Sequence, residues 1–309
     1  MENPIYSVVL NPKSGSSGEE FRASIERALQ ERAVEFEVFE TDPEEGAVPA
    51  VKRAVEGGAT HILACGGDGT IMSAVNGLGK IEKSPETTLS IIPGGTANLL
   101  ATALDIPHDV EKAIEIALTG EDRLIDLGEC GGHIFALGLG LGLTEKLVSG
   151  TSAQEKEKLG RLAYVKAMLA EMGQKPHRFT FKLDDGKEQA SSGVALVVAN
   201  AGEIGGSLKF APDAQMDDGV LDLVVLHRFY FRDLARLMLA GLTGKMADDR
   251  AVSFFQAAKI EITTDPPLDM QIDGEEVDTK PPLTIQVRPK ALKMRMARKA
   301  AEEMDEGEK

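Results

Sequence analysis

Cysteine is scarce in this chain: Cys65 and Cys130 are too few for a disulfide framework and have no metal-style partner at short spacing. The five histidines, His61, His108, His133, His177 and His227, include no pair three to five residues apart, which argues against a zinc site built on one helix or turn. Long apolar runs are missing as well. Nothing approaches the ~20 residues that span a bilayer, and Met1 leads straight into a strand-like segment instead of a signal core. These absences predict a soluble, cytoplasmic protein in a reducing compartment.

Positive charge is the remaining shortage. A formal charge of −16 excludes a general nucleic-acid-binding surface, because such surfaces need clustered Lys and Arg to replace phosphate counterions. Contact with an anionic membrane would rest on a local basic patch, Lys290, Lys293, Arg295, Arg298 and Lys299, which as a bare pattern reads first as a solvated strand face.

What is present is enough apolar sequence, 42% of 309 residues, for two domains of ordinary size. In the first part, short apolar runs (Ile5 to Leu10, Glu35 to Glu40, His61 to Ala64, Leu89 to Ile92) alternate with helical patterns (from Phe21, Val48 to Val55, Ile71 to Leu78, up to Ala103, Val110 to Leu118). Alternation of this kind predicts a parallel sheet covered on both faces. Past Gly120 strand-type runs dominate: Arg123 to Leu127, His133 to Leu143, Phe179 to Leu183, Val194 to Asn200, Val220 to Leu226, Lys259 to Thr264, Met270 to Ile272 and Leu283 to Val287. Helical patterns intrude only near Leu159 to Met172 and Phe231 to Leu242, and a last period-two strand covers Leu292 to Met296. The expected fold class is an α/β N-terminal domain with a parallel sheet over 1–125, to which the tail 290–309 returns, followed by a β-rich, sandwich-like domain over 126–289.

Two glycine-rich turns stand where a strand opens onto a helix, Gly66-Gly67-Asp68-Gly69-Thr70 and, one βα unit later, Pro93-Gly94-Gly95-Thr96-Ala97-Asn98. Each reads either as a tight turn with a capping residue or as a phosphate cradle made of free N–H groups at the positive end of a helix dipole. Parallel topology puts both on one carboxyl-end edge of the sheet, joined there by Asn11 to Gly18, including Lys13, and by Thr41; two such loops on one edge suit a nucleotide. Asp273-Gly274 by itself is an ordinary hairpin turn with Glu275 as a solvated carboxylate. Asp213, Asp217, Asp218 and Asp222 fit a hard cation and a solvated acidic turn equally well. From His133 to Leu143 the even positions, Ala136, Gly138, Gly140 and Gly142, would leave one strand face bare, for close sheet packing or as the floor of an acyl chain.

Taken in order, these motifs resemble the diacylglycerol-kinase catalytic superfamily, which includes sphingosine kinases and soluble bacterial lipid kinases. The resemblance runs from Asn11-Pro12-Lys13-Ser14-Gly15 through both glycine loops to Asn200, Gly205-Gly206, Ala211-Pro212-Asp213-Ala214, Asp217 to Asp222 and Asp273-Gly274-Glu275. It implies an ATP-dependent kinase acting on a lipid hydroxyl of diacylglycerol, phosphatidylglycerol or sphingoid type, presented at a membrane or micelle surface on the inner face of the membrane. By the same resemblance ATP is held by Asn11, Thr41, Gly66, Gly67, Asp68, Gly69, Thr70 and Thr96. Asp68 helps to hold Mg²⁺, and Glu275 is the general base. A structural Mg²⁺ or Ca²⁺ is held by Gln215, Asp218 and Val220. One departure is Leu99, where bacterial diacylglycerol kinases commonly carry Asp, which puts diacylglycerol as substrate in question.

A soluble-metabolite kinase of the NAD-kinase kind shares the glycine loop, but the chain has no Gly-Ser-Thr-Ala-Tyr run. A catalytically silent lipid-binding protein of the same fold is set against the presence of Asp68, Thr70 and Glu275 together.

Overall fold

The computed structural model describes residues 4–12, 18–81, 86–142, 175–202, 211, 213–227 and 252–298. In the first part strands and helices alternate: β1 (Tyr6–Leu10), α1 (Gly18–Glu31), β2 (Phe36–Glu40), α2 (Val48–Glu56), β3 (His61–Gly66), α3 (Asp68–Gly79), β4 (Thr88–Pro93), α4 (Leu99–Ala103) and α5 (Val110–Thr119). The four strands are parallel in the order β2-β1-β3-β4. β4 is buried along its whole length and β3 at all but its first residue, as expected for strands covered on both faces. The covering helices show the matching period: α1 buries Ile25, Ala28 and Leu29, and α2, which has Pro49 in its first turn, buries Ala50, Val51 and Ala54.

The second part is β-rich: β5 (Glu121–Cys130), β6 (His133–Phe135), β7 (Gly138–Leu141), β8 (His177–Leu183), β9 (Gln189–Gly193), β10 (Ala195–Ala199), β11 (Leu221–Leu226), β12 (Val252–Ala257), β13 (Lys259–Asp265), β14 (Met270–Ile272), β15 (Glu275–Val277) and β16 (Leu283–Met296). β12-β11-β10-β7-β14-β15 form one antiparallel sheet, and β13, β8 and β9 extend the first sheet through β16. Between them lies a core that includes Phe135, Leu139, Leu141, Phe179, Phe181, Leu196, Leu223, Ile260, Met270 and Ile285. The protein is therefore an α/β unit with a parallel sheet followed by a β-rich sandwich.

Three details differ from the sequence reading. The run His133 to Leu143 is not one strand: β6 and β7 are separated at Ala136-Leu137, where the Asp273 carboxylate accepts the N–H groups that a continuous ladder would use. Leu137 accordingly packs in the core of the α/β unit, while its neighbours Phe135 and Leu139 pack inside the sandwich. The runs at Leu283 and Leu292 are one strand, β16, whose register with β5 shifts between Arg288 and Leu292, with Lys290 at φ +52° in the break. β9 and β12 have no counterpart in the sequence reading, because their exposed polar and aromatic positions blur the period-two pattern. The helical patterns at Leu159 to Met172 and Phe231 to Leu242, together with Lys13, Gly205-Gly206 and Pro212, lie outside the described residues.

β16 joins the two parts. Its last turnings pair with β4 in parallel (Lys293 with Thr88, Met294 with Leu89), both of its arms pair with β5, and its first residues pair with β13.

Candidate active site

The site begins at the carboxyl ends of the parallel strands. β3 ends at Gly66 beside Pro93 of β4, and Gly94 N–H donates to the Gly66 carbonyl at 2.8 Å. Beyond that bond the two glycine turns touch backbone to backbone. A Cβ on Gly95 would stand 2.6 Å from the Gly67 Cα, closer than real side chains come, so no residue with a side chain fits there.

Asn98 closes the second turn on itself. In a left-handed conformation (φ 48°), its Oδ1 accepts from Gly95 N–H and its Nδ2 donates to the Gly95 carbonyl, both at 2.9 Å. Asp68 then ties the turns together: one carboxylate oxygen accepts from Asn98 N–H at 2.9 Å and the other from Leu99 N–H at 2.5 Å. Asp68 thus sits in the first turn of α3 and caps the N-terminus of α4. The Leu99 side chain is half-buried against the core of the α/β unit, so this position offers its N–H and no polar side chain.

The earlier strand ends complete the edge. Asn11 N–H donates to the Cys65 carbonyl and Asn11 Nδ2 to Thr70 Oγ1, each at 3.4 Å, and Thr41 N–H donates to the Leu10 carbonyl at 3.0 Å. Thr70 and Asn98 are buried, whereas Gly69, Gly95 and Thr96 are exposed, so the open side of both turns faces solvent.

Glu275 reaches this edge from the sandwich. β14 and β15 form a hairpin whose two turn residues, Asp273 (φ 50°) and Gly274 (φ 91°), are both left-handed, the type I′ geometry that matches strand twist. The Asp273 carboxylate is buried and accepts three N–H groups, from Ala136, Leu137 and Gly138, each at 2.9 Å. Burial pushes its carboxyl up to about 6, helped by the neighbouring Glu275 charge and opposed by the three N–H donors. Glu275 is exposed, and its Oε1 lies 3.6 Å from where a Cβ on Gly69 would stand. The hairpin therefore sets a free carboxylate over the glycine turn at the N-terminus of α3.

Sequence reasoning gave no role to two further groups. Asp126, an acid inside the apolar run Leu124 to Leu127, is fully buried; its carboxylate accepts from Gly219 N–H at 2.6 Å and Lys290 N–H at 2.7 Å. Asn200 Nδ2 donates to the carbonyls of Asp126 at 2.9 Å and Ala136 at 2.8 Å. The anomaly of an acid in a buried strand was the available signal for Asp126.

The turn carrying Gln215, Asp218 and Val220 is bonded to Asp126, whose N–H donates to the Met216 carbonyl and whose carboxylate accepts from Gly219 N–H, both at 2.6 Å. Asp218 Oδ1 accepts from Val220 N–H at 3.1 Å; the donors that the resemblance assigns here are the Asp218 carboxylate and the Gln215 and Val220 carbonyls. One carboxylate with two carbonyls is an all-oxygen donor set, which fits Mg²⁺ or Ca²⁺ and not a thiophilic metal. No group of three or more His, Cys, Asp or Glu is placed to hold a metal among the described residues, and this set contains only one ligand of that class.

Residues 6–130 match the diacylglycerol kinase catalytic domain, and residues 144–296 match the YegS C-terminal NAD kinase beta sandwich-like domain. The chain belongs to the diacylglycerol kinase catalytic family. It is similar to the diacylglycerol kinase of Bacillus subtilis (strain 168), 31% identical over 273 residues that cover 87% of this chain and 88% of that protein. The diacylglycerol kinase of Staphylococcus aureus (strain MRSA252) is 27% identical over 274 residues, covering 87% and 85%. A crystal structure of a diacylglycerol kinase from Bacillus anthracis str. Sterne shares the fold at a TM-score of 0.75 and 22% identity, over 96% of this chain and 98% of that one. An NAD kinase from Archaeoglobus fulgidus in complex with ATP shares it more distantly, with a TM-score of 0.54 and 16% identity over 94% and 93%. The protein is thus of a kinase family. Among its described residues no helix is long and apolar enough to cross a membrane.

Proposed function

We propose that this diacylglycerol-kinase family member transfers the γ-phosphoryl group of ATP to a hydroxyl of a diacylglycerol-, phosphatidylglycerol- or sphingoid-type lipid at a membrane or micelle surface. The observation that carries the reading is the Glu275 carboxylate standing over Gly69 at the glycine-turn edge. In this reading residues 1–125 and 290–309 bind ATP and residues 126–289 take the lipid.

Asn11, Thr41, Gly66 to Thr70 and Thr96 line the nucleotide edge, with exposed Gly69, Gly95 and Thr96 turned toward the phosphates. Glu275 accepts the proton of the lipid hydroxyl as its oxygen attacks the γ-phosphorus; the new P–O bond forms as the bond to the β-phosphate oxygen breaks and ADP leaves. Mg²⁺ bound with ATP supplies charge neutralisation on the phosphate oxygens. Asp68 would help to hold Mg²⁺ and position the reacting groups, and it also holds the two phosphate turns in contact through the Asn98 and Leu99 N–H groups. Gln215, Asp218 and Val220 would hold a structural Mg²⁺ or Ca²⁺ by oxygen ligation.

Incubation with labelled ATP and a panel of diacylglycerol, monoacylglycerol, phosphatidylglycerol, sphingosine and ceramide in detergent micelles, with NAD as a soluble arm, tests the reading. A phosphorylated lipid is the expected product. Label transferred to NAD alone would move the protein to the metabolite kinases that share its fold.

A further inference from the structure

A type I′ turn needs little from its first residue beyond tolerance of a left-handed backbone, and Asn-Gly meets that need with a side chain in water. Asp273 meets it while burying a carboxylate, which burial alone disfavours in its charged form. That carboxylate is the acceptor for three successive N–H groups, Ala136 on Oδ2 and Leu137 and Gly138 on Oδ1, and Asp273 N–H returns a bond to the Gly138 carbonyl at 2.9 Å. The same segment is gripped from its carbonyl side by Asn200, whose Nδ2 bonds Ala136 and whose N–H bonds Leu137 at 2.9 Å. Residues 136–138 are thus a fixed backbone cradle, and it fixes the start of a two-residue turn whose next residue is Glu275.

We propose that Asp273 is the positioning residue of the phosphoryl-transfer site: its ionised carboxylate, anchored on the 136–138 N–H groups, holds Glu275 over Gly69, and protonation of Asp273 releases that hold. The inference rests on the reading of Glu275 as the base. Protonation turns one carboxyl oxygen into a donor and removes the charge that strengthens the three N–H bonds, so the hold on the cradle weakens. Glu275 is the charged neighbour that acts on Asp273, and the cradle itself contributes only Ala136, Leu137 and Gly138. With the Asp273 carboxyl at about 6, the release falls within the range of an ordinary pH profile.

The test is kcat and ATP KM from pH 5 to 8 for wild type, Asp273→Asn and Glu275→Gln, at saturating ATP and the best micellar lipid. Wild-type kcat is expected to fall below about pH 6. Asp273→Asn puts an amide donor against an N–H; it should lower kcat at pH 7.5 by roughly tenfold to a hundredfold, as a small misplacement of a reacting group does, with ATP KM within about twofold. It should also lose the limb near pH 6. An Asp273→Asn enzyme that is merely less stable, with wild-type kcat per folded molecule and an unchanged profile, overturns the proposal. Glu275→Gln separates the two readings. Full activity in that variant sinks the base assignment and the positioning role with it, whereas an inactive Glu275→Gln beside a fully active Asp273→Asn sinks the positioning role alone. Should Asp273→Asn not fold, hydrogen exchange of wild-type peptides over 134–141, corrected for intrinsic rates, decides: exchange at Leu137 and Gly138 should rise between pH 7.5 and 5, and unchanged protection overturns the proposal.

Discussion

Glu275 and Asp68 are both carboxylates at one edge, yet their surroundings give them opposite characters. Glu275 is exposed with its Oε1 near Gly69, while Asp68 has both oxygens committed to Asn98 and Leu99. Glu275→Gln should therefore leave stability unchanged and lower kcat by about 10²–10⁴ without changing ATP affinity, as loss of a general base does. Asp68→Asn replaces one acceptor oxygen by a donor facing an N–H and should cost about 1–3 kcal/mol in urea unfolding. Parallel unfolding and steady-state measurements on the two variants check the split; a Glu275→Gln enzyme above about a tenth of wild-type kcat removes Glu275 as the base. Asp273 adds a tension of its own. A carboxyl held above its ordinary value stabilises the fold fully below about 4 and loses that contribution as pH rises through about 6, so the charge at neutral pH is kept against stability.

Much of this scale was visible in the sequence, because strand-to-helix turns with glycine announce themselves and parallel topology places them together. What was not visible is long-range. Nothing near Asp273 says that its partners are Ala136, Leu137 and Gly138, and nothing near Asp126 points to Gly219 and Lys290. Nor does the sequence near Asp68 say that its carboxylate ties the two glycine turns through Asn98 and Leu99.

Among the elements, the contact between the two glycine turns is set by what is missing from them. A methyl on Gly95 would stand 2.6 Å from the Gly67 Cα and 2.9 Å from Asn98 Oδ1, so Gly95→Ala must part the turns or break the Asn98 closure. The expected result is a raised ATP KM with the sandwich intact, read by kinetics and near-UV circular dichroism; an unchanged KM would mean that nucleotide does not use this contact.

At the opposite end of the parallel strands, β16 is pinned by side chains. Arg295 Nη2 donates to His61 Nε2 at 2.6 Å, His61 Nδ1 meets Thr60 Oγ1 at 3.0 Å, and Arg295 Nε lies 2.7 Å from Asp122 Oδ1. The His61 ring also tilts against Tyr6, 5.0 Å between centroids. Burial and then the Arg295 charge hold His61 below its ordinary value, with Lys293 acting the same way and Asp122 opposing. Such a histidine contributes stability that is present above the ordinary histidine value and lost as pH falls through it toward the lower folded-state value. His61→Gln keeps an acceptor for Arg295 but cannot be protonated, so wild type should lose more Tm than the variant between pH 7.5 and 5. Equal losses would show that His61 does not carry the effect.

For the molecule as a whole, fold class was legible because the hydrophobic period changes once, from buried parallel runs with helices between them to strands in succession. Strand identity was less so: β9 and β12 lack a clean alternation, and the break between β6 and β7 is imposed by a carboxylate more than a hundred residues away along the chain. β16 hid its unity for a similar reason, since Pro289 and Lys290 interrupt a strand whose two arms hold one partner, β5.

The place of β16 also fixes an order of events during synthesis. β4, six apolar-rich residues buried throughout, has β3 on one side and the end of β16 on the other, so the ribosome releases β4 some two hundred residues before its second neighbour exists. Until then the growing chain carries an open strand edge of the kind that invites pairing with other chains. Arrested nascent chains of increasing length should show the α/β segment cleaved readily by protease until Met296 has emerged, and resistance at shorter lengths would mean that β16 adds to a sheet already closed by other means. The long interval between release of β4 and synthesis of β16 then becomes the stage at which this chain is most exposed to aggregation, and chaperones would have most to do there.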